Sequence, residues 1–189
     1  MKEEVTISVI KADVGGLAGH SAIHPDIPEI ARKSLRKAVD NSLLCDAHVA
    51  WVGDDLQLIM THYHGIDNEK VHKLAWDTFH KCAERAGELK LCGVGQDFLS
   101  DKFEGNIRGL GPSLAEMAIK ERKNEAFVVL MADKTSPGAW NFPLYKIFAD
   151  AFNTIGLVIK PVLARGFRFE VTNIRERRRI FLETPQDIY

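Results

Sequence analysis

The chain has 189 residues, 46% of them hydrophobic, and its 25 lysines and arginines nearly balance 26 acidic residues to give a formal net charge of −1. This composition is enough for one domain with a buried core, and the near-neutral charge argues against a nucleic acid or an anionic membrane as partner. No apolar run is long enough to cross a bilayer, and the first four residues lack a signal-peptide pattern, so we expect a cytoplasmic protein.

The first forty residues predict a strand, a turn and a helix. Residues 5–12 alternate and are rich in β-branched side chains, which predicts a strand, and the glycines of residues 15–19 then break it into a turn. A helix is predicted from residue 26 to about residue 40, because Asp26 and Glu29 have the spacing of a capping box and apolar residues recur at helical spacing at Ile27, Ala31, Leu35 and Ala38.

The middle of the chain predicts a second strand-like run that acids interrupt, followed by a second helix. Residues 47–52 and 56–60 have strand-like composition, and Gly53-Asp54-Asp55 separates them. Residues 68–86 place apolar side chains on one helical face, and Gly87 is positioned to end the helix. Residues 105–112 contain three glycines and predict a long loop.

The last third is richer in strand patterns. Residues 113–122 are ambiguous, because Ser113 and Glu116 resemble a capping box while residues 117–120 could pair as a strand; the helix is favoured. Strands are predicted at residues 127–132, 157–162, 167–171 and 180–182. The mixture predicts an α+β class built in layers.

Neither the cysteines nor a pair of histidines predicts a transition-metal site. Cys45, Cys82 and Cys92 have no CxxC spacing, which predicts free thiols. His62 and His64 would share one face of a strand, but no third ligand is near in sequence, so a surface turn is the favoured interpretation.

Carboxylates follow or interrupt three of the predicted strands. Asp13 follows the first, Asp54 and Asp55 interrupt the second, and Asp133 follows the run at 127–132. Buried charges are costly unless a cation or an ion-pair partner compensates them. Carboxylate oxygens suit Mg²⁺ or Mn²⁺ better than zinc. The simpler alternative, strand-end and turn residues without a metal, is commoner for any single aspartate.

Several strings of residues together carry a family resemblance. They are residues 7–13, Val52-Gly53-Asp54-Asp55 with its continuation to residue 62, Gly95-Gln96-Asp97, residues 105–112, Met131-Ala132-Asp133-Lys134-Thr135, and residues 148–150 with 152–154. In these strings the chain resembles the amino-terminal half of the archaeal-type bifunctional fructose-1,6-bisphosphate aldolase/phosphatases. The resemblance implies an α-β-β-α sandwich of two stacked sheets covered by helices, large homo-oligomers, and one metal- and sugar-phosphate-binding domain over residues 1–189.

The resemblance also implies roles for individual residues. Asp13 matches a metal-binding acid that serves as the base in phosphate hydrolysis, and His20 matches a histidine that contacts metal and substrate. The other metal ligands implied are Asp54, Asp55, Gln96 and Asp133, and the substrate-binding residues are His20, Gly105 and Lys134. Several Mg²⁺ ions, or Mn²⁺, are the expected cofactors. Lys134 can complement a phosphate, and the lack of a Cβ at Gly105 lets backbone approach a ligand.

Two departures from the family limit what the resemblance implies. Cys92 stands where the family usually has a substrate-binding tyrosine. The Schiff-base lysine, its partner tyrosine, and further metal-binding acids and arginines belong to a carboxy-terminal half outside these 189 residues. We therefore expect a Mg²⁺-dependent fructose-1,6-bisphosphate phosphatase of gluconeogenesis without an aldolase lysine. The alternative is a non-catalytic sugar-phosphate-binding or subunit-type protein that needs a second chain.

Overall fold

The structure, a computed structural model, contains two sheets and three α-helices in the residues it describes. These residues are 4–94, 112–120, 127, 129–133, 141–148, 150, 152–153, 161, 166–173, 178–184 and 186–188. The chain divides into two compact units, Met1–Asp133 and Lys134–Tyr189. The predicted α+β class is confirmed, while a single domain over residues 1–189 stays a prediction.

The first unit is built on a four-stranded antiparallel sheet. Its strands are β1 (Glu4–Asp13), β2 (Asp46–Val52), β3 (Asp55–His62) and β4 (Ser113–Lys120), in the order β2-β3-β1-β4. Strand β1 pairs with β3 so that Asp13 lies opposite Asp55. The end of β1 therefore lies beside the turn between β2 and β3. This places the acids of the two segments close enough to belong to one site.

Helices α1 (Asp26–Asp40) and α2 (Glu69–Glu88) pack together and bury one face of this sheet. Successive side chains of a strand point to opposite faces, so Ile10 of β1 and Leu58 of β3, which lie opposite each other, share the covered face. The helical side chains in the core are Ile27, Ala31, Leu35 and Ala38 of α1 and Val71, Ala75, Phe79, Cys82 and Ala86 of α2. Both predicted apolar stripes are confirmed.

The two helix starts use different caps. The predicted capping box at α1 is wrong: the N-cap is Pro25, which makes no side-chain hydrogen bond, and Asp26 instead accepts hydrogen bonds from Arg85 of α2. Asp26 therefore pairs with Arg85 of the neighbouring helix and does not cap its own helix. At α2 the Asn68 side chain accepts from two backbone N–H groups of the first turn. Helix α2 runs through Gly87 and ends one residue later.

The segment 113–122 corrects the sequence interpretation, because residues 113–120 form β4 rather than a helix. Strand β4 pairs with β1 along its length, and Ser8 lies opposite Glu116. Glu116, the supposed capping residue, instead accepts hydrogen bonds from Ser8 and from the backbone of Asp67. Long-range pairing has therefore overridden a weak local helix signal. The described residues of the run 127–132 lie outside any strand, contrary to the prediction.

The second unit contains α3 (Asn141–Phe148), β5 (Phe167–Asn173), β6 (Arg178–Thr184) and a 3₁₀ turn at Gln186–Ile188. Strands β5 and β6 form a two-stranded antiparallel sheet, which confirms the strands predicted at 167–171 and 180–182. Helix α3 was missed, although Pro143 is well tolerated in a first helical turn. Of the strand predicted at 157–162, only Pro161, in a turn, belongs to the described residues.

All three cysteines are free, as predicted. Cys45 and Cys92 are exposed, whereas Cys82 is buried between α2 and α1. Burial raises the pKa of the Cys82 thiol to about 12, because the thiolate would lose its hydration. Cys82 is therefore a core residue. None of the helices in the described ranges combines the length and apolar character needed to span a membrane.

A buried polar network joins β1, β3, β4 and α2. Ser8 donates a hydrogen bond of 2.6 Å to Glu116 and lies 2.8 Å from Nε2 of His62. Because the Ser8 hydrogen points to Glu116, Nε2 of His62 must be the donor to Ser8, and Nδ1 accepts from the backbone N–H of His64. His72 of α2 also contacts Glu116, at 3.0 Å. The interpretation of His62 as a surface-turn residue is wrong, since it is fully buried.

The network shifts two pKa values downward. Burial lowers the pKa of His62, because the imidazolium form would be desolvated. Burial alone would raise the pKa of Glu116, but hydrogen bonds from Ser8, the Asp67 backbone and His72 outweigh it, so that pKa lies below its usual range. Both groups thus take up a proton less readily in the folded chain than in the unfolded chain.

We expect acid to destabilise the protein in two stages. The unfolded chain binds more protons, so the free energy of unfolding falls as the pH drops below about 6.5, where unfolded histidine titrates, and again below about 4.3 for glutamate. Urea unfolding at pH 8, 6, 4 and 3 measures both stages. Glu116→Gln should reduce the fall in the free energy of unfolding below about pH 4.3. Glu84→Gln, at an exposed site on α2, should leave that fall unchanged. Identical pH profiles for Glu116→Gln and the unmodified protein would refute the assignment.

Candidate metal centre

The candidate site lies where β1 ends beside the turn between β2 and β3. Val52 pairs with Asp55, so Gly53 and Asp54 form the turn between the two strands. Gly53 has a φ of 59°, in the left-handed region that glycine adopts without steric cost. This turn places Asp54 inside the protein, where it is fully buried, and leaves Asp55 at the first position of β3, only 3% exposed.

Asp13, His20 and Asp54 form the centre of the site. Each offers one ligand atom, and the three atoms all lie within 4.8 Å of one another. Nδ1 of His20 lies 2.5 Å from a carboxylate oxygen of Asp54, and the backbone N–H of Gly15 donates a 3.0 Å hydrogen bond to Asp13. The structure therefore brings together three of the residues predicted to bind metal, from three separate segments.

The loop that carries His20 is held by a second loop. Gly16 exchanges two backbone hydrogen bonds with Cys92, of 3.0 and 2.8 Å, which ties the loop after β1 to the segment after α2. The next residue, Gly93, lies against the imidazole of His20, so closely that a Cβ at Gly93 would overlap the ring. Gly16 is packed in the same way against Asp54. The two glycines thus determine where the ligands sit.

Asp55 and Asp133 border this centre. Asp55 forms an ion pair with Lys11, two residues before Asp13 on the same strand. The carboxylate of Asp133 lies over the turn, since a Cβ built on Gly53 would be 2.5 Å from its oxygen. Asp55 therefore lies opposite Asp13, and Asp133 lies beside the turn that carries Asp54. The other predicted residues, Gln96, Gly105 and Lys134, lie outside the described residues.

Sequence reasoning missed three residues that the structure places at the site: Lys11, Gly16 and Gly93. Lys11 carried a signal, because on a strand it shares a face with Asp13, two residues away. Gly16 belongs to the glycine-rich turn, which was predicted only to end the first strand. No local pattern points to Gly93, because its role depends on contact with His20, 73 positions earlier in the sequence.

The donor set fits a divalent cation. Carboxylate oxygens are the usual protein ligands of Mg²⁺, Ca²⁺ and Mn²⁺, and an imidazole nitrogen is accepted more readily by the transition ions. Asp13, Asp54, Asp55 and Asp133 bring four carboxylates to a largely buried place, and Lys11 and His20 are the basic groups paired with two of them. A bound cation would offset the mutual repulsion of these acids. Their chemistry does not decide between Mg²⁺ and Mn²⁺.

We expect Gly93→Ala to weaken divalent-cation binding by about 10- to 100-fold, the usual effect of losing a residue that orients a ligand. The added methyl group would displace the His20 ring. Gly65→Ala is a matched control, because Gly65 also has a positive φ, 81° against 72°, but a Cβ there meets nothing within 4 Å. Both variants should lose about 1–2 kcal/mol of stability from the left-handed backbone. Equal Mn²⁺ affinities in calorimetric titration would contradict the role of Gly93.

Comparison with known proteins gives one consistent family. The family model described as fructose-1,6-bisphosphatase matches residues 4–189. A protein of Moorella thermoacetica is 54% identical over all 189 residues, a protein of Ignicoccus hospitalis is 56% identical over the same length, and a protein of Thermococcus onnurineus is 54% identical over 187. Each is named fructose-1,6-bisphosphate aldolase/phosphatase. These alignments cover 99–100% of the chain but 49–50% of each relative, so the chain spans about half the length of the curated relatives it matches.

Proposed function

Because the chain belongs to the fructose-1,6-bisphosphatase family, we propose that it acts as a Mg²⁺-dependent phosphatase on fructose 1,6-bisphosphate in gluconeogenesis. The observation that carries the proposal is the cluster of Asp13, His20 and Asp54, whose ligand atoms lie within 4.8 Å of one another at the end of β1. We propose the substrate from the names of the relatives, and we propose the cluster as the site where its phosphate is hydrolysed.

Asp13, His20 and Asp54 would hold one cation, and we propose that Asp55 and Asp133 help to hold a second. Gln96, which lies outside the described residues, joins this set by the family resemblance. When bound, divalent cations at such a site polarise a phosphoryl oxygen and lower the pKa of water. We propose Mg²⁺ as the resident ion, with Mn²⁺ able to replace it, since both favour carboxylate oxygens.

The chain's own residues would handle the proton and the phosphate. In hydrolysis, a bond forms between water oxygen and phosphorus while the bond from phosphorus to the sugar oxygen breaks, and the departing sugar oxygen takes up a proton from solvent. Asp13 accepts the proton that the attacking water loses. The Gly15 N–H holds one Asp13 oxygen, which fixes the direction of the other. His20, Lys134 and the backbone at Gly105 would bind the sugar phosphate, as the resemblance implies.

A second candidate function is supported by the relative lengths. The chain spans about half of each relative, and in this candidate a second chain supplies the residues that those proteins carry in their other half. In that case the protein binds cations and sugar phosphate but turns over only in complex with a partner. This candidate predicts ligand binding by the isolated chain without release of phosphate.

Calorimetric titration of fructose 1,6-bisphosphate with and without Mg²⁺, followed by an assay of released phosphate, tests both candidates. Metal-dependent binding with phosphate release supports the phosphatase. Metal-dependent binding without release supports the subunit-type protein. Absence of binding in both conditions refutes a sugar-phosphate site on this chain.

We further propose that the protein works in the cytoplasm as a homo-oligomer. Support for assembly comes from large apolar side chains on the surface of the described residues, including Ile66, Met117 and Phe142, each more than half exposed. Contact between copies would remove such side chains from water. Light scattering that gives the mass of one chain would reject the assembly.

A further inference from the structure

Lys11 is the basic side chain that faces the candidate metal centre from within the sheet. It lies on β1 two residues before Asp13, so both side chains point to the same face. Its ammonium forms an ion pair with Asp55, and the two side chains are only 19% and 5% exposed. The family resemblance assigns Lys11 no role.

The register of the sheet explains why a cation is needed there. Asp13 and Asp55 lie directly opposite each other on β1 and β3. Opposed side chains of an antiparallel pair have Cβ atoms about 4.5–5.5 Å apart, and like charges at such positions repel. Asp54, adjacent in sequence to Asp55 and fully buried, adds a third carboxylate. The Lys11 ammonium, at the diagonal position, reduces this repulsion.

The same ammonium has the opposite effect on a divalent ion. A positive charge in contact with Asp55 repels a second cation that approaches the same carboxylate, and this repulsion is strong where burial limits screening by water. We propose that Lys11 is a built-in counter-ion of the metal centre, which stabilises the protein without a cation and weakens the binding of divalent ions. The inference rests on the metal-dependent function proposed above and deepens it. The affinity for a divalent cation would depend both on the ligands that bind the cation and on Lys11, which competes with the cation for Asp55.

Lys11→Met removes the ammonium and keeps much of the apolar stem. We expect it to bind Mn²⁺ about 10-fold or more tighter than the unmodified protein in calorimetric titration. Its melting temperature in EDTA should fall by about 3 °C or more, because Asp55 loses its ion-pair partner. Lys11→Arg keeps the charge and should stay within about threefold of the original affinity, since guanidinium and ammonium carry the same charge.

Lys73→Met is the matched control. Lys73 also pairs with an aspartate, Asp77, but on the exposed surface of α2, so Mn²⁺ affinity and melting temperature should be unchanged. If Lys11→Met does not fold, Lys11→Gln replaces it, because glutamine removes the charge and keeps a donor for Asp55.

Three results would overturn the proposal: an unchanged affinity in the neutral variants, a weaker affinity, or a melting temperature in EDTA equal to that of the original protein. A weaker affinity would mean that Lys11 only positions Asp55. Failure of the proposed function would give a different result, because the unmodified protein would then bind no Mn²⁺ at millimolar concentration. In that case competition by Lys11 is refuted as well, and the melting temperatures in EDTA still show whether Lys11 offsets the charge of Asp55.

Discussion

Asp54→Asn is expected to weaken Mn²⁺ binding by about 100-fold or more, because removing a ligand should cost at least as much as removing a residue that only orients one. Asp54 is fully buried, and its carboxylate lies among the ligand atoms of Asp13 and His20. Asparagine keeps the size and the turn but removes the negative charge that attracts the cation. Calorimetric titration with Mn²⁺ measures the loss.

The melting temperature in EDTA separates this effect from unfolding. Asp54→Asn removes one of several like charges, and asparagine can still form a hydrogen bond with His20, so the variant is expected to fold and to melt close to the original protein. Asp77→Asn changes an exposed carboxylate on α2 in the same way and should bind Mn²⁺ normally. If Asp54→Asn folds and binds Mn²⁺ as tightly as Asp77→Asn does, Asp54 is not a ligand.

Asp13→Asn is expected to lower phosphate release by about 100- to 10,000-fold at saturating Mn²⁺, the usual contribution of a general base. Asparagine still offers an oxygen to the Gly15 N–H but cannot accept a proton from water. The malachite-green assay with fructose 1,6-bisphosphate as substrate gives the turnover of both proteins.

Metal affinity must be measured on the same samples, since Asp13 is also a candidate ligand. A general base makes turnover decline as acid protonates it, so the acidic limb of the pH profile should shift or vanish in the variant. Turnover within about threefold of the original at saturating Mn²⁺ would remove Asp13 from the proton-transfer step, because general-base catalysis contributes far more.

The helices and strands were predicted most accurately where the sequence signal is local and strong. The helices at residues 26–40 and 68–86 were predicted within about two residues, since a regular apolar stripe specifies both the helix and its buried face. Strand β1 was predicted from alternation and β-branched side chains, and β2 and β3 from strand-like composition. Prediction failed at β4, where a capping pattern of two residues competed with a strand whose partner lies over a hundred residues earlier.

The candidate metal centre can be divided in the same way, into residues that the sequence identified and contacts that only the structure shows. The glycine-acid pattern at Gly53 to Asp55 and the acid at the end of β1 identified Asp13 and Asp54 as candidates before any contact was known. No sequence spacing could show that His20 meets Asp54, that Gly93 contacts His20, or that Lys11 pairs with Asp55. These contacts depend on strand register and on how two loops meet.

The sequence by itself determined the α+β class, the two covering helices, the carboxylates at the strand ends and the family, because local periodicity and short strings of residues carry that information. The tertiary structure alone decided that Asp13 lies opposite Asp55, that His62 is buried against Ser8, and that three ligand atoms lie within 4.8 Å of one another. The physical reason is that each of these facts joins residues far apart in the chain. Their distances are fixed only when the register of β1 with β3 is fixed, and a slip of one residue would turn Asp13 to the opposite face.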